Sequence, residues 1–99
     1  MLIRSQNREV LINLNSTAGT EIAEGPIKTI ITSYITGCSY LLGEYSDKAK
    51  AMKVLDMIQE AYSEYQIMLN FSVSYLHEFK EKTDGFAIFQ MPEDSEVEA

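Results

Sequence analysis

Between residues 46 and 69, apolar side chains return at steps of three and four: Ala51, Leu55, Ile58, Tyr62, Tyr65 and Leu69. At about 100° per residue this spacing gathers them into one stripe, which predicts a long amphipathic helix from residue 46 to about 69 with that stripe buried. Val54 and Ala61 widen the apolar side, while Lys48, Lys53, Asp56, Glu60, Ser63 and Glu64 fill most of the remaining circumference. That breadth suits a helix lying on a sheet rather than a narrow coiled-coil seam. Ser46 is placed to cap the first free N–H groups, and Asp47 suits the positive end of the helix dipole. Such a helix cannot bury its stripe alone, so the rest of the chain must supply a sheet.

The strand signals precede it. Residues 2–5 and 10–14 read as a hairpin around Gln6-Asn7-Arg8-Glu9, with Val10, Ile12 and Leu14 alternating along the second strand. Residues 20–24 form a weaker third strand, ended by Gly25-Pro26. Residues 27–36 are dense in Ile and Thr and read as a central strand. Gly37 supplies a tight turn, from which residues 38–43 return antiparallel. The expectation is an α+β domain: an antiparallel meander sheet of four to five short strands, then the helix.

Beyond Leu69 the stripe extends through Leu76 and Phe79, but a single helix over 46–82 would be about 55 Å long, wider than a domain of this size. Asn70, Ser72, Val73 and Ser74 are weak helix formers in one cluster and predict a break, followed by a second helical segment over about 72–82. Thr83-Asp84-Gly85 stops it, residues 86–91 form a last short strand, and Pro92 ends that strand.

Ninety-nine residues are enough for one domain, expected over 1–92. Residues 93–99 carry four carboxylates and offer only Val97 to a core, so an acidic disordered tail is expected there. Of the 15 acidic side chains, 11 precede that tail, against 8 basic ones, and no basic face is visible. Sequence-independent nucleic-acid binding needs such a face, so no nucleic-acid partner is expected. Mimicry of DNA by the acidic residues is weakened by Lys48, Lys50 and Lys53. No apolar run approaches the roughly 20 residues of a membrane span, and the opening Met1-Leu2-Ile3-Arg4-Ser5-Gln6-Asn7-Arg8 lacks the apolar core of a secretory signal. The expected setting is cytoplasmic, with no membrane partner.

Residues that could carry chemistry are few. Cys38 is the only cysteine, which rules out an intrachain disulfide and a cysteine zinc site and suggests a small buried side chain. His77 is the only histidine, and its pairing with Cys38 as base and nucleophile matches no recognisable pattern. Gly25-Pro26-Ile27-Lys28-Thr29 lacks the glycine spacing and the Gly-Lys pair of a phosphate loop. No catalytic residue, metal or cofactor is therefore expected, and the chain reads as a non-enzyme. The suggestive feature is aromatic: Tyr34, Tyr40 and Tyr45 beside the sheet, with Leu69, Phe71, Tyr75, Leu76 and Phe79 further on, mark a possible partner surface. The competing reading places the tyrosines at the rim of the core with their hydroxyls in water. The apolar run over 69–79 also predicts a homodimer packed through that segment.

At Leu41-Leu42-Gly43-Glu44-Tyr45-Ser46, at Lys53-Val54-Leu55-Asp56-Met57-Ile58-Gln59-Glu60-Ala61-Tyr62, and at Phe89-Gln90-Met91-Pro92-Glu93-Asp94-Ser95-Glu96-Val97, the chain resembles an uncharacterised family of short proteins encoded by phages and prophages of Gram-positive bacteria. Ile3-Arg4-Ser5-Gln6 fits the same resemblance. It implies a mobile-element source and a cytoplasmic setting, and it brings no site residues. The leading expectation is a small protein-binding accessory module, an inhibitor of a host protein being one instance. The alternative is a small-molecule or nucleotide-binding domain with its pocket between sheet and helix.

Overall fold

The computed structural model describes residues 1–69 and 88–98. The expected second helical segment over 72–82 lies outside these residues, as does most of the 69–79 dimerisation segment.

The meander forms as its alternation and turns predict. Strands β1 (Leu2–Arg4) and β2 (Leu11–Asn13) pair antiparallel. Their connection is tied by side chains: the Val10 N–H donates to Ser5 Oγ, the Glu9 N–H donates to Asn7 Oδ1, and Arg8 takes a left-handed backbone conformation. A 3-10 turn at Leu14–Ser16 leads into β3 (Gly19–Glu24), β4 (Thr29–Ile35) and β5 (Cys38–Tyr45), which pair antiparallel in that order with β4 in the centre. Gly37 has a φ of 81° at the β4–β5 turn, a conformation glycine adopts without steric cost.

One feature of β5 was not visible in its pattern. Its register against β4 shifts by a residue, so that Gly43 faces Ile31 while Leu41 faces Thr32, leaving Leu42 as the extra residue of a bulge. Leu42 is buried and Leu41 exposed. The bulge also changes which alternate residues face the core, putting Tyr45 and Gly43 on the same face as Tyr40, which pairs with Ser33.

There are two sheets rather than one. The strand β6 (Ile88–Gln90) pairs parallel to β1, giving a second three-stranded sheet of order β2-β1-β6. Tertiary pairing places β6 there, since three residues carry no directional signal of their own. The last strand is thus shorter than the expected 86–91 within the described residues, and its partner is the first strand of the chain.

The helix α1 spans Lys48–Leu69, starting two residues later than expected. Asp47, not Ser46, caps it, its Oδ1 accepting the Lys50 N–H at 2.8 Å. Ser46 lies one residue outside the N-cap position, and its N–H donates to Asp94 instead. α1 lies across β3, β4 and β5. Its fully buried residues are Ala51, Val54 and Ile58, with Ala61, Tyr62 and Tyr65 half-buried behind them. This corrects the expected stripe by part of a turn: Leu55 is only half-buried, and Leu69 is 50% exposed. Ala51, Val54 and Ile58 face the sheet, which leaves Leu55 on the flank, whereas Leu69 lies one helix turn beyond Tyr65, the last half-buried position of the stripe.

The core joins both sheets and the helix: Met1, Ile3 and Ile12 from the first hairpin, Ile31, Leu42 and Tyr45 from the larger sheet, α1, and Met91 and Val97 from the C-terminal segment. Val97 is 4% exposed. The tail expected to be disordered therefore packs, forming a 3-10 turn at Asp94–Glu96 that brings Val97 back onto the body. Its acidic composition concealed one apolar side chain and one carboxylate that are both used.

Candidate functional site

Exposed apolar side chains gather on the outer face of the larger sheet, and side-chain hydrogen bonds gather at the junction that receives the C-terminal segment.

In an antiparallel sheet, paired residues share a face. Tyr34 pairs with Gly19 and Ser39, Thr32 with Glu21 and Leu41, and Ile30 with Ala23 and Glu44, so these residues form the face turned away from α1. Tyr34 and Leu41 are exposed, 42% and 45%, beside half-buried Ile30, Thr32 and Ala23, and Ile27 in the β3–β4 turn is 84% exposed, the most of any large apolar residue among the described residues. The Tyr34 hydroxyl donates to the Glu21 carboxylate across the strand pair. That hydrogen bond, followed by the charge of Glu21, raises the phenol above its ordinary pKa and keeps it a donor.

The sequence-predicted surface is only partly assembled. Tyr34 and Tyr40 are both exposed, but the hairpin register, which pairs Tyr34 with Ser39 and Tyr40 with Ser33, puts them on opposite faces of the sheet. Tyr45 is 1% exposed and belongs to the core, so it is withdrawn from the partner surface. Leu69 is exposed at the end of α1, with Ile67 beside it, and Phe71, Tyr75, Leu76 and Phe79 lie outside the described residues. Leu41 and Ile27 were missed. Leu41 sits next to an apolar twin, and the hairpin register that pairs it with Thr32 decides that it is the one turned outward. Cys38, expected to be buried, is exposed at the tip of the β4–β5 hairpin. It lines a shallow depression of about 460 Å3 with Ala18, Tyr34, Ile35, Gly37 and Ser39. The layer between the sheet and α1 is occupied by Ile31, Leu42, Tyr45, Ala51, Val54 and Ile58.

The junction is built around Gln6, Tyr45 and Lys50. The Gln6 N–H donates to the Leu42 carbonyl at 2.7 Å, and its side-chain amide then imitates a peptide group: Oε1 accepts the Glu44 N–H at 2.9 Å and Nε2 donates to the Glu44 carbonyl at 3.1 Å. One side chain thereby extends the edge of β5 and holds the two sheets together. Nε2 also donates to the Pro92 carbonyl at 3.1 Å, and the Tyr45 hydroxyl donates to the same oxygen at 2.9 Å, so both lone pairs of that carbonyl are engaged. The Tyr45 ring folds back over Gly43, where a Cβ would come within 3.0 Å of it. Burial, reinforced by the carboxylates of Glu93, Asp94 and Glu96, drives the Tyr45 phenol far up from its ordinary value, and it remains protonated.

Asp94 completes the junction. Its Oδ1 accepts the Ser46 N–H at 2.7 Å, and Lys50 Nζ donates to its carbonyl at 3.0 Å and its Oδ2 at 3.4 Å. The Ser46 N–H lowers the Asp94 pKa against the opposing effect of desolvation, and the Ser46 hydroxyl and then the Lys50 ammonium add to the lowering. Upstream, the Met91 N–H donates to the Arg4 carbonyl at 3.0 Å and Gln90 Nε2 to the Ser5 carbonyl at 2.9 Å. Residues from positions 4–6, 42–50 and 90–97 thus meet in one place.

Among the described residues no three His, Cys, Asp or Glu side chains converge as metal ligands, and no helix is long and apolar enough to cross a membrane. Comparison with protein-family models, with curated proteins and with solved structures returns no match.

Proposed function

We propose that this is a small non-enzymatic protein-binding module of the accessory kind that phages and other mobile elements of Gram-positive bacteria encode. The observation that carries this reading is the outer face of β3, β4 and β5, where Tyr34 and Leu41 stand exposed on a sheet stiffened from behind by α1. An aromatic and an aliphatic side chain presented by a helix-backed sheet lose little conformational entropy on binding, and buried aromatic anchors carry much of the energy of protein interfaces. Glu21, already holding the Tyr34 hydroxyl, supplies an acceptor at the rim of that face. The mobile-element source rests on the resemblance of residues 3–6, 41–46, 53–62 and 89–97, and an inhibitor of a host protein is one instance of the reading.

Exposed Ile67 and Leu69 at the end of α1 support a second element of it, a homodimer formed through residues 69–79. Light scattering of the wild type and of Leu69→Glu at micromolar concentration tests this element, with a monomer mass for the wild type rejecting it.

The main test is capture from a Gram-positive lysate at physiological salt, comparing the wild-type chain with a Tyr34→Ala, Leu41→Glu double variant. A protein retained by the first and lost by the second supports the reading. Retention by neither rejects it, and equal retention by both moves the interface to another surface. A thermal-shift screen of nucleotides and metabolites runs beside it: a ligand at 100 times its dissociation constant stabilises a fold by about 2.7 kcal/mol, and such a shift would favour a small-molecule site instead.

A further inference from the structure

The way residues 88–98 are held is the way a bound peptide is held. β6 adds as an edge strand to β1, main chain to main chain. The body's polar side chains, Gln6, Tyr45 and Lys50, all reach carbonyl oxygens of this segment, those of Pro92 and Asp94. Only two of its side chains are fully buried, Met91 and Val97, and one carboxylate, Asp94, is read by a backbone N–H and an ammonium. Strand addition for affinity, with two apolar pockets and one charge for selectivity, is the grammar of peptide recognition by an exposed sheet edge. The polar latch is open to water, with the Lys50 and Asp94 side chains 22% and 41% exposed, so solvent can compete for it.

We infer that the groove between the β1 edge, Gln6, Tyr45 and Lys50 is a peptide-binding site that the chain's own C-terminal segment occupies in cis, and that it accepts an extended partner segment of the same chemistry. That chemistry is an apolar residue followed by proline, an aspartate two residues after the proline, and a second apolar residue three further on, as in Met91-Pro92-Glu93-Asp94-Ser95-Glu96-Val97. The segment in cis then acts as an internal competitor. A free peptide must displace it, and its apparent affinity falls by the fraction of time the groove stands open. This deepens the reading of the protein as a protein-binding module by naming a second surface. Its test uses purified components alone, so a failure here leaves the outer sheet face standing, and a failed lysate capture leaves the groove standing.

The test is a fluorescence-anisotropy titration of the full chain against a labelled synthetic peptide of residues 88–98, for the wild type and for Asp94→Ala. The substitution weakens the segment in cis and leaves every groove residue in place, so the peptide, which carries its own aspartate, should bind the variant about tenfold more tightly than the wild type. A peptide in which that aspartate is alanine should bind the variant about tenfold more weakly than the unaltered peptide. Equal binding of both peptides, or no binding to a folded variant up to millimolar peptide, overturns the inference. Hydrogen exchange of the wild type decides independently of whether the variant folds. The Met91 and Ser46 amides, which report the strand and the latch, should exchange through an opening of lower free energy and weaker denaturant dependence than the Ile31 amide in the central strand. Exchange of all three through one global unfolding event overturns the proposal.

Discussion

The outer face of the larger sheet and the C-terminal junction use the same side chain in opposite ways. Tyr34 and Tyr45 stand eleven positions apart on adjacent strands, each with its hydroxyl bonded. Tyr34 spends its donor on a carboxylate beside it and leaves its ring to solvent, whereas Tyr45 spends its donor on a carbonyl 47 residues away and buries the ring over Gly43. The first arrangement leaves a surface available, and the second closes one. The residue type is the same, so the strand register, which turns Tyr45 to the core side and Tyr34 to the outer face, decides which ring is buried.

Substitution should separate the two regions most sharply at these tyrosines. Tyr45→Ala removes a fully buried ring and the donor to Pro92 and should cost about 3 to 5 kcal/mol of stability by chemical denaturation. Tyr34→Ala should stay within about 0.5 kcal/mol of the wild type. Equal losses at both sites would dissolve the contrast.

Truncation after Pro92 comes next. Losing the burial of Val97 and the contacts of Asp94 should cost about 2 kcal/mol, lowering the melting temperature of a domain this size by about 10 °C. An unchanged melting temperature would return the tail to solvent. Gln6→Ala should then cost about 1 to 2 kcal/mol, because it strips the Glu44 N–H of its partner at the seam between the sheets. Glu21→Ala on the outer face is the matched control, expected within about 0.5 kcal/mol.

The smallest effect depends on pH. Asp94 has a lowered pKa in the folded protein, so its contribution is fully present above the ordinary aspartate value of about 3.9 and is lost as the pH falls through the lower folded value. The difference in melting temperature between the wild type and Asp94→Asn should therefore be constant from neutral pH down to about 4 and shrink below it. A difference that persists unchanged into strong acid would remove the carboxylate charge from the account of the latch.

Much of the architecture was legible because its causes are local. The stripe over 51–65 announced a helix on a sheet, the Ile and Thr density of 29–35 announced the central strand, and Gly37 announced the turn after it. The candidate surface was legible only in part. Tyr34 was found, but Tyr45 could not be told from it, because both are tyrosines in strand-forming surroundings. The bulge at Leu42 defeated the alternation on which any assignment of faces along β5 depends. The C-terminal segment was misread for a related reason: four carboxylates in seven residues resemble a solvated tail unless one knows that a backbone N–H and a lysine wait for one of them.

By itself the sequence determined the periodic elements, their order and the antiparallel meander, since hydrophobic spacing and turn chemistry act within a few residues along the chain. The tertiary structure alone decided that there are two sheets, that β6 runs parallel beside β1, that Asp47 rather than Ser46 caps α1, and that Tyr45 faces inward. The physical reason is distance along the chain. The second sheet and the docking of the C-terminal segment rest on contacts between residues some 40 to 90 positions apart, Gln6 with Glu44 and Pro92, Tyr45 with Pro92, and Ser46 with Asp94, while the inward turn of Tyr45 follows from the β5 bulge against β4. Such pairings leave no period in the sequence, because their partners come from distant parts of the chain and meet at one edge of the folded body.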